Sequence, residues 1–579
     1  MQTQTQTHRT YGNWRRPRSA GLWRLGVAPT LLTVGVVVGA SLISMIASLV
    51  LGLVFFAVTV PPLLVLLHPA YDGYTRLQRL GAWVGGARAR IKHENSYRSG
   101  PLGLVTCGSH QLPGLLAASQ LSQTRDAHGR PFAVLCHPHV RHLTVVLESE
   151  PDGASLADQR QVDQWVAHHG EWLAALSREP GLIACQISIE SSPDPGTRLR
   201  HMLANRRSDS APSYAAEVMN EIRDTYPAGA AELKARIGLT YRMNAAGGRK
   251  LSAAEKAHEV GVRLPALYGK LPNTGAGGAA PVDAQRLCEI VRAAYDPAAA
   301  EPIENACAAG ETAALQWDDV GPASAHALPR SYHHDGAISV TWEMADAPRA
   351  AVVETVLSEL LAPHRDIPRK RVTLLYRVLS PAEAARMVEN DVHTAEFRVN
   401  TRSNASARDK HEVQSAHATA AEEAQGAALI SVGMLVCASV LEEDGLAAAL
   451  AAIENVGPTA RINLRVVAHS QDSAFAAALP LGVWLPEYQS LPRVIKDTFC
   501  CSSVSTRCLT ASTAAGSAPP PINVPRTSPT AAPATSRRYA AGPATGADAA
   551  PIYSRRGSGG ERLPRCAAYG LTAWGPERP

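Results

Sequence analysis

The stretch "FAVLCHPHVRHLTVVLE", residues 132–148, reads as β structure interrupted at Pro138. Val162, Trp165, Val166, Trp172, Leu173 and Leu176 follow at helical spacing and make one face of an amphipathic helix. Then "LIACQISIE", 182–190, sets Ile183, Cys185, Ile187 and Ile189 in alternation, the period of a half-buried strand. Strand, helix and strand in this order decide the fold class: α+β, with helices laid on a sheet.

Outward from this unit the pattern recurs. "AISVTWEM", 337–344, places Ile338, Val340, Trp342 and Met344 on one side. Val353, Val356, Leu357, Leu360 and Leu361 make a helical stripe, and "RVTLLYRVL", 371–379, is the returning strand. Ser380-Pro381-Ala382-Glu383 opens a further helix with capping-box spacing and proline in its first turn. A third unit is "ALISVGMLVCASVL" (428–441), a helix over 445–456 and "RINLRVVA" (461–468). The three units predict open sheets built from ferredoxin-like halves. Residues 198–330 between them are Ala-rich and mainly helical in pattern, and "TGAGGAA", 274–280, marks a flexible joint.

Upstream, residues 25–67 are a run of 43 without a titratable side chain. One membrane-spanning helix needs roughly 20 residues, so the run predicts two crossings with a turn near 40–48, where Gly39, Ser41, Ser44 and Ser48 interrupt the aliphatics. Arg9, Arg15, Arg16, Arg18 and Arg24 precede the run, and Arg76, Arg79, Arg88, Arg90 and Lys92 follow it. Positive residues favour the cytoplasmic side, so a multi-pass cell-membrane protein with both ends cytoplasmic is expected. "GAWVGGARARIK", 81–92, is basic and partly apolar; it reads equally as a segment on the inner leaflet or as a solvated connector.

The layout expected is a basic arm at 1–24, a transmembrane hairpin at 25–67, a basic juxtamembrane segment at 68–100, a first cytoplasmic α+β domain at 101–245, a helical linking region at 246–330, a second α+β domain at 331–497 and a tail at 498–579. The tail has no lysine and no apolar period; it reads as disordered, or as a G+C-rich gene translated in a shifted frame. The net charge of +5 is segregated: residues 1–98 carry +9, 99–499 carry −10 and 500–579 carry +6. An acidic central body argues against direct nucleic-acid binding, which needs cations to displace counterions from phosphates. Ten cysteines without a CxxC pair point to unpaired thiols in a reducing compartment.

No segment has the spacing of a phosphate-binding loop; "AAGGRKLS" (245–252) and "ALYGKLPNTGAGG" (266–278) come nearest. Cys136, His137, His139 and His142 are metal-ligand types, but Pro138 breaks their strand and no second ligand pair has zinc spacing. His333-His334-Asp335-Gly336 reads as a solvated turn before a strand. No cofactor, no metal and no catalytic activity are expected. Arg369-Lys370-Arg371, the densest charge in the body, is a candidate contact for an acidic partner or lipid phosphates.

Four phrases carry a resemblance: "WLAALSREPGLIACQISIESSPDPGTRLR" (172–200), "EIVRAAYDPAAAEP" (289–302), "HRDIPRKRVTLLYRV" (364–378) and "QDSAFAAALPLGVWLP" (471–486). The chain resembles, from about residue 14 to 497, an actinobacterial family of integral membrane proteins of conjugative, type IV-like secretion clusters. The resemblance implies a PrgI-type membrane hairpin joined to a body like the N-terminal, non-ATPase region of a VirB-type ATPase. It implies a structural subunit of a multi-subunit complex, partnered by the lipid bilayer and a separate ATPase. Gln471 and Asp472, in the last phrase, join Arg369, Lys370 and Arg371 as candidate partner contacts. The alternative is an EccE-type subunit of a type VII (ESX) apparatus, which also pairs two membrane helices with a cytoplasmic domain.

Overall fold

The computed structural model describes residues 27–67 and 76–488, less parts of 101–109, 152–156, 195–210, 226–230, 245–247, 347–351 and 402–405, together with a strand at 507–511. Two apolar helices come first, α1 (Val27–Ile46) and α2 (Leu49–Leu67). The break falls at Ala47 and Ser48, the far end of the predicted turn, where Ser48 Oγ accepts from Leu51 N at 3.2 Å and caps α2. The helices run side by side, with Gly52 of α2 against Ala40 and Ser44 of α1, the close approach that small residues permit. Among the described residues, one helix is long and apolar enough to cross a bilayer, over Leu49–Leu66 with mean hydropathy 2.6; the apolar part of α1, Thr33–Ile46, is shorter. Helix α3 (Arg76–Ile91) leads to the body.

The body is mixed helix and sheet around one antiparallel sheet. Strands β1 (Ser96–Arg98), β2 (Gln120–Arg125) and β3 (Pro131–His137) precede a first half. That half runs β4 (His142–Glu150), α4 (Gln159–Leu176), β5 (Leu182–Pro193), β6 (Ala231–Arg242), α5 (Ala253–Tyr268) and β7 (Gly278–Pro281). Its strands lie in the order β7, β4, β6, β5. Helix α6 (Ala284–Tyr295) and strands β8 (Ser324–Ala327) and β9 (Tyr332–His334) lead on. The second half runs β10 (Ala337–Asp346), the short helix Ser358–Leu361, β11 (Arg369–Val378), the helical pair α7 (Pro381–Thr401) and α8 (Ala407–Ala424), β12 (Ala428–Val440), α9 (Leu446–Thr459) and β13 (Asn463–Val466). Its strands lie in the order β13, β10, β12, β11. Each half therefore places its fourth, first, third and second strands side by side.

The halves meet through their second strands. β5 and β11 pair over eight positions from Lys370↔Ser191 to Arg377↔Ala184, so one continuous sheet crosses both stretches read as separate α+β domains. Alternation then sorts the side chains onto two faces. One is apolar. Val145, Ile187, Ile237, Leu239 and Tyr376 pack under Trp172 and Leu176 of α4 and Val260 and Leu264 of α5. Val340, Trp342, Val372 and Val436 pack under Leu360 and Ile453. Each fully buried Leu, Ile or Val here contributes about 1.5–3 kcal/mol. The helix starts agree with this placement: Asp158 caps α4 through Gln161 N at 2.7 Å, and Ser252 and Glu255 form a capping box on α5.

Three strands, β6, β7 and β8, lie within 198–330, where the sequence pattern is mainly helical. β6, "AELKARIGLTYR", is central to the first half, and the expected joint at 274–280 supplies β7, which pairs with β4. In the tail, β14 (Arg507–Ala511) pairs with the Ala428–Val432 end of β12; the rest of the tail lies outside the described residues. Free Cys136, Cys185, Cys288 and Cys437 are buried, and Cys307 is exposed.

Candidate functional site

The opposite face of the sheet is polar at its centre. Thr144, Gln186, Ser188, Glu190, Arg236, Thr240, Thr341, Arg371 and Thr373 are all buried there. What covers them is not a helix alone. Helix α10 (Gln471–Ala478) runs into an extended strap, "LPLGVW" (479–484), laid across the sheet. Extended backbone buried away from its own kind needs partners for its carbonyls and amides. Gln186 Nε2 donates to Ala477 O at 2.9 Å and Leu479 O at 2.5 Å, while Gln186 Oε1 accepts from Gly482 N at 3.2 Å. Thr373 Oγ1 donates to Ala478 O at 2.7 Å, and His137 Nε2 donates to Leu481 O at 2.8 Å. Gly482 has φ +69° and lies so close to the sheet that a Cβ would fall 2.2 Å from Thr144 Oγ1; only glycine fits.

Beside the strap sits a buried charge network. Glu190 accepts from Arg236 Nη1 at 2.8 Å and Arg371 Nη2 at 2.9 Å, with Arg369 3.7 Å away. Arg236 also reaches Glu148 Oε1, from Nε at 3.2 Å, and Arg286 of α6 donates to Glu148 and Glu289. Burial alone would raise Glu190's carboxyl, but Arg371, Arg369 and Arg236 outweigh it and hold it far below the usual carboxylate range.

Three of the five candidate partner contacts, Arg369, Arg371 and Gln471, point into this interior. Arg371 is spent on Glu190, and Arg369 donates to Ala293 O. Lys370, between them, projects to the opposite, apolar face and donates to Ala362 O; burial pulls its pKa down to about 8. The surface cluster expected from the sequence is thus divided by strand alternation and buried. Gln471 is fully buried and stitches α10 to β10, accepting from Thr341 N at 2.9 Å and donating to Thr341 O at 3.1 Å. Asp472 is the reachable one. It lines a cavity of about 430 Å³ between α3 and the body, with Arg79, Arg90, His469 and Ser470. Burial raises its carboxyl pKa, against hydrogen bonds at the start of α10 that lower it.

The histidines separate likewise. His137 and His142 face each other across the β3–β4 hairpin on the polar side, while Cys136 belongs to the apolar core. Burial lowers both imidazoles to about 4, assisted at His142 by His137 and Arg242. His334, expected in a solvated turn, is buried between Tyr295 O and Ser339 Oγ, and burial lowers it to about 4. Among the described residues no group of three or more His, Cys, Asp or Glu is placed to hold a metal ion.

The network's acidic members and Gln186 were missed in sequence reading. Their signal is a polar residue at alternate positions of an otherwise apolar strand, as in Gln186, Ser188 and Glu190 of β5. The four quoted phrases do converge here: they supply Gln186 and Glu190, the Ala293 and Tyr295 carbonyls of α6, Arg371 and Thr373, and the strap. No protein-family model matches the chain, and no curated protein matches it.

Proposed function

We propose that the chain is a membrane-anchored structural component of a conjugative, type IV-like secretion apparatus, which presents its body to a separate VirB-type ATPase at the inner face of the membrane. The observation that carries the anchoring is the α1–α2 pair. Leu49, Val50, Leu53 and Val58 of α2 and Val37, Val38 and Leu42 of α1 are exposed, with no protein packed over them. Apolar surface on this scale belongs in lipid. Arginines on both flanks favour two crossings with both ends cytoplasmic.

The strand order of the two halves supports ferredoxin-like units joined edge to edge. Their ionised groups neutralise one another inside the fold, as suits a scaffold more than a catalyst. The secretion context rests on the resemblance of the four phrases. Cell fractionation tests the anchor: the protein stays with membranes through carbonate and high salt and leaves only with detergent. Gentle detergent purification from the native host tests the partner, with a VirB-type ATPase expected to accompany it. Free solubility without detergent, or turnover of nucleotide by the purified chain alone, overturns the proposal.

A further inference from the structure

Helix α3 follows α2 after only eight residues and is amphipathic in an unusual sense: its small side faces the protein and its large apolar side faces away. Ala82 and Ala89 are half-buried and Gly86 is buried; a Cβ on Gly86 would lie 2.6 Å from His469 Nδ1, so the helix seats directly on the loop before α10. At about 100° per residue, Leu80, Val84 and Ile91 fall on the far side of the helix, with Trp83 on the flank. These four side chains are between 45 and 80 % exposed. Arg76 and Arg88 lie beside them, while Arg79 and Arg90 turn toward the body and line the cavity with His469 and Asp472; residues 76–91 hold no acid.

We propose that α3 lies in the plane of the membrane on anionic lipid, with Leu80, Trp83, Val84 and Ile91 among the upper acyl chains and Arg76 and Arg88 at the headgroup phosphates. Apolar residues backed by flanking cations are the signature of an interfacial helix, and anionic headgroups supply the complementary charge. Continuity with α2 selects lipid as the occupant, because α3 starts within reach of the point where that helix ends. Through Gly86 and His469 the helix also fixes which side of the body faces the bilayer. This deepens the membrane reading above and depends on it.

The full chain reconstituted into vesicles separates the two. Trp83 is one of nine tryptophans, so its contribution is read as the difference between wild type and Trp83→Phe. In vesicles of brominated phosphatidylglycerol and phosphatidylcholine, the wild type shows bromine quenching that Trp83→Phe lacks. That difference falls by about half or more when the anionic lipid is replaced by brominated phosphatidylcholine, or when Arg76 and Arg88 are changed together to Gln. If the chain does not float with vesicles, the anchor itself fails. If it floats but Trp83→Phe leaves quenching unchanged, α3 is not at the lipid and this proposal falls alone. Equal quenching in purely zwitterionic vesicles overturns the anionic-lipid assignment. Shielding of Trp83 that follows protein concentration rather than lipid reassigns the stripe to a second copy and also overturns it.

Discussion

The two faces of the central sheet are built from the same strands and hold together by different physics. The apolar face takes helices, and its stability is the sum of many interchangeable contacts: Ile187, Ile237 and Leu239 against Trp172, Val260 and Leu264. The opposite face also takes helices at its margins, Leu287 and Val291 of α6 and Phe475 of α10 joining Val146, Leu375 and Leu435, but over its polar centre it takes main chain. A strap of extended backbone carries fixed carbonyls and amides, so the sheet beneath it must offer donors and acceptors at defined points, as Gln186, Thr373 and His137 do. An apolar face tolerates substitution because volume is what counts; a hydrogen-bonded face does not, because each lost partner leaves a buried polar group behind.

The largest contrast is expected between two neighbours on β5. Glu190→Gln keeps the shape of the side chain and removes its charge, leaving Arg236 and Arg371 buried without their common counter-ion. A loss of about 3–5 kcal/mol follows. Ile187→Val, on the other face, removes one methylene and costs about 0.5–1.5 kcal/mol. Urea unfolding of the detergent-solubilised protein measures both. Equal costs would mean that the network is not a distinct source of stability. Next comes Gln186→Leu, which fits by volume but orphans the carbonyl of Ala477 and the amide of Gly482 and leaves the Leu479 carbonyl with Leu481 N alone. About 2–4 kcal/mol is expected, together with loosening of the strap. Faster hydrogen exchange at 477–484, with α4 and α5 unchanged, is the specific readout.

Acid should act mostly on the polar face, where three of the four histidines lowered to about 4 by burial lie; the fourth, His169, stacks on Trp172 over the apolar face. His137, His142 and His334 all lie on the polar side with pKa values lowered to about 4 by burial, against about 6.5 when unfolded. Between those values the unfolded chain binds more protons, so stability falls as pH drops from 6.5 toward 4, by roughly 2–3 kcal/mol for each histidine. Glu190 adds to the loss below the ordinary carboxylate range, because its depressed folded pKa stabilises the fold only while it is ionised. A melting temperature flat from pH 7 to 4.5, or a His334→Gln variant with an undiminished slope, would show that these imidazoles are not buried as neutral groups.

Legibility in the sequence follows the same division. β10 and β12 announce themselves because apolar residues recur along them, and β5 because Ile187 and Ile189 alternate on its apolar side. β6 does not, since its polar-face positions are Lys234, Arg236, Gly238 and Thr240, and the strand sits in an Ala-rich stretch whose local preference is helical. The network was invisible for a further reason. Glu148, Glu190, Arg236 and Arg371 are each ordinary charged residues on separate strands, and only the β4–β6–β5–β11 order brings them together. The strap illustrates the limit most clearly. "ALPLGVWLP" looks like a loop leaving a domain, and nothing local in it says that a sheet several strands wide has been made polar to receive it.

Lys370 is the exception that tests the comparison at its weakest point. It stands on the apolar face, opposite Ala438 and Ser191, and its ammonium donates to a carbonyl, Ala362 O, rather than to a carboxylate. Burial holds its pKa at about 8, against about 10.5 in the unfolded chain. Between those values the unfolded chain again binds more protons, so the wild type gains stability as pH rises from 8 to 10.5, when the folded lysine sheds its charge. Lys370→Met fills the same space without an ion. It is expected to stabilise the protein by about 1–2 kcal/mol at pH 7 and to abolish the gain above pH 8. Destabilisation by Lys370→Met would mean that the Ala362 carbonyl needs its donor more than the core needs relief from the charge, and that the apolar face, too, contains a point where hydrogen bonding outweighs volume.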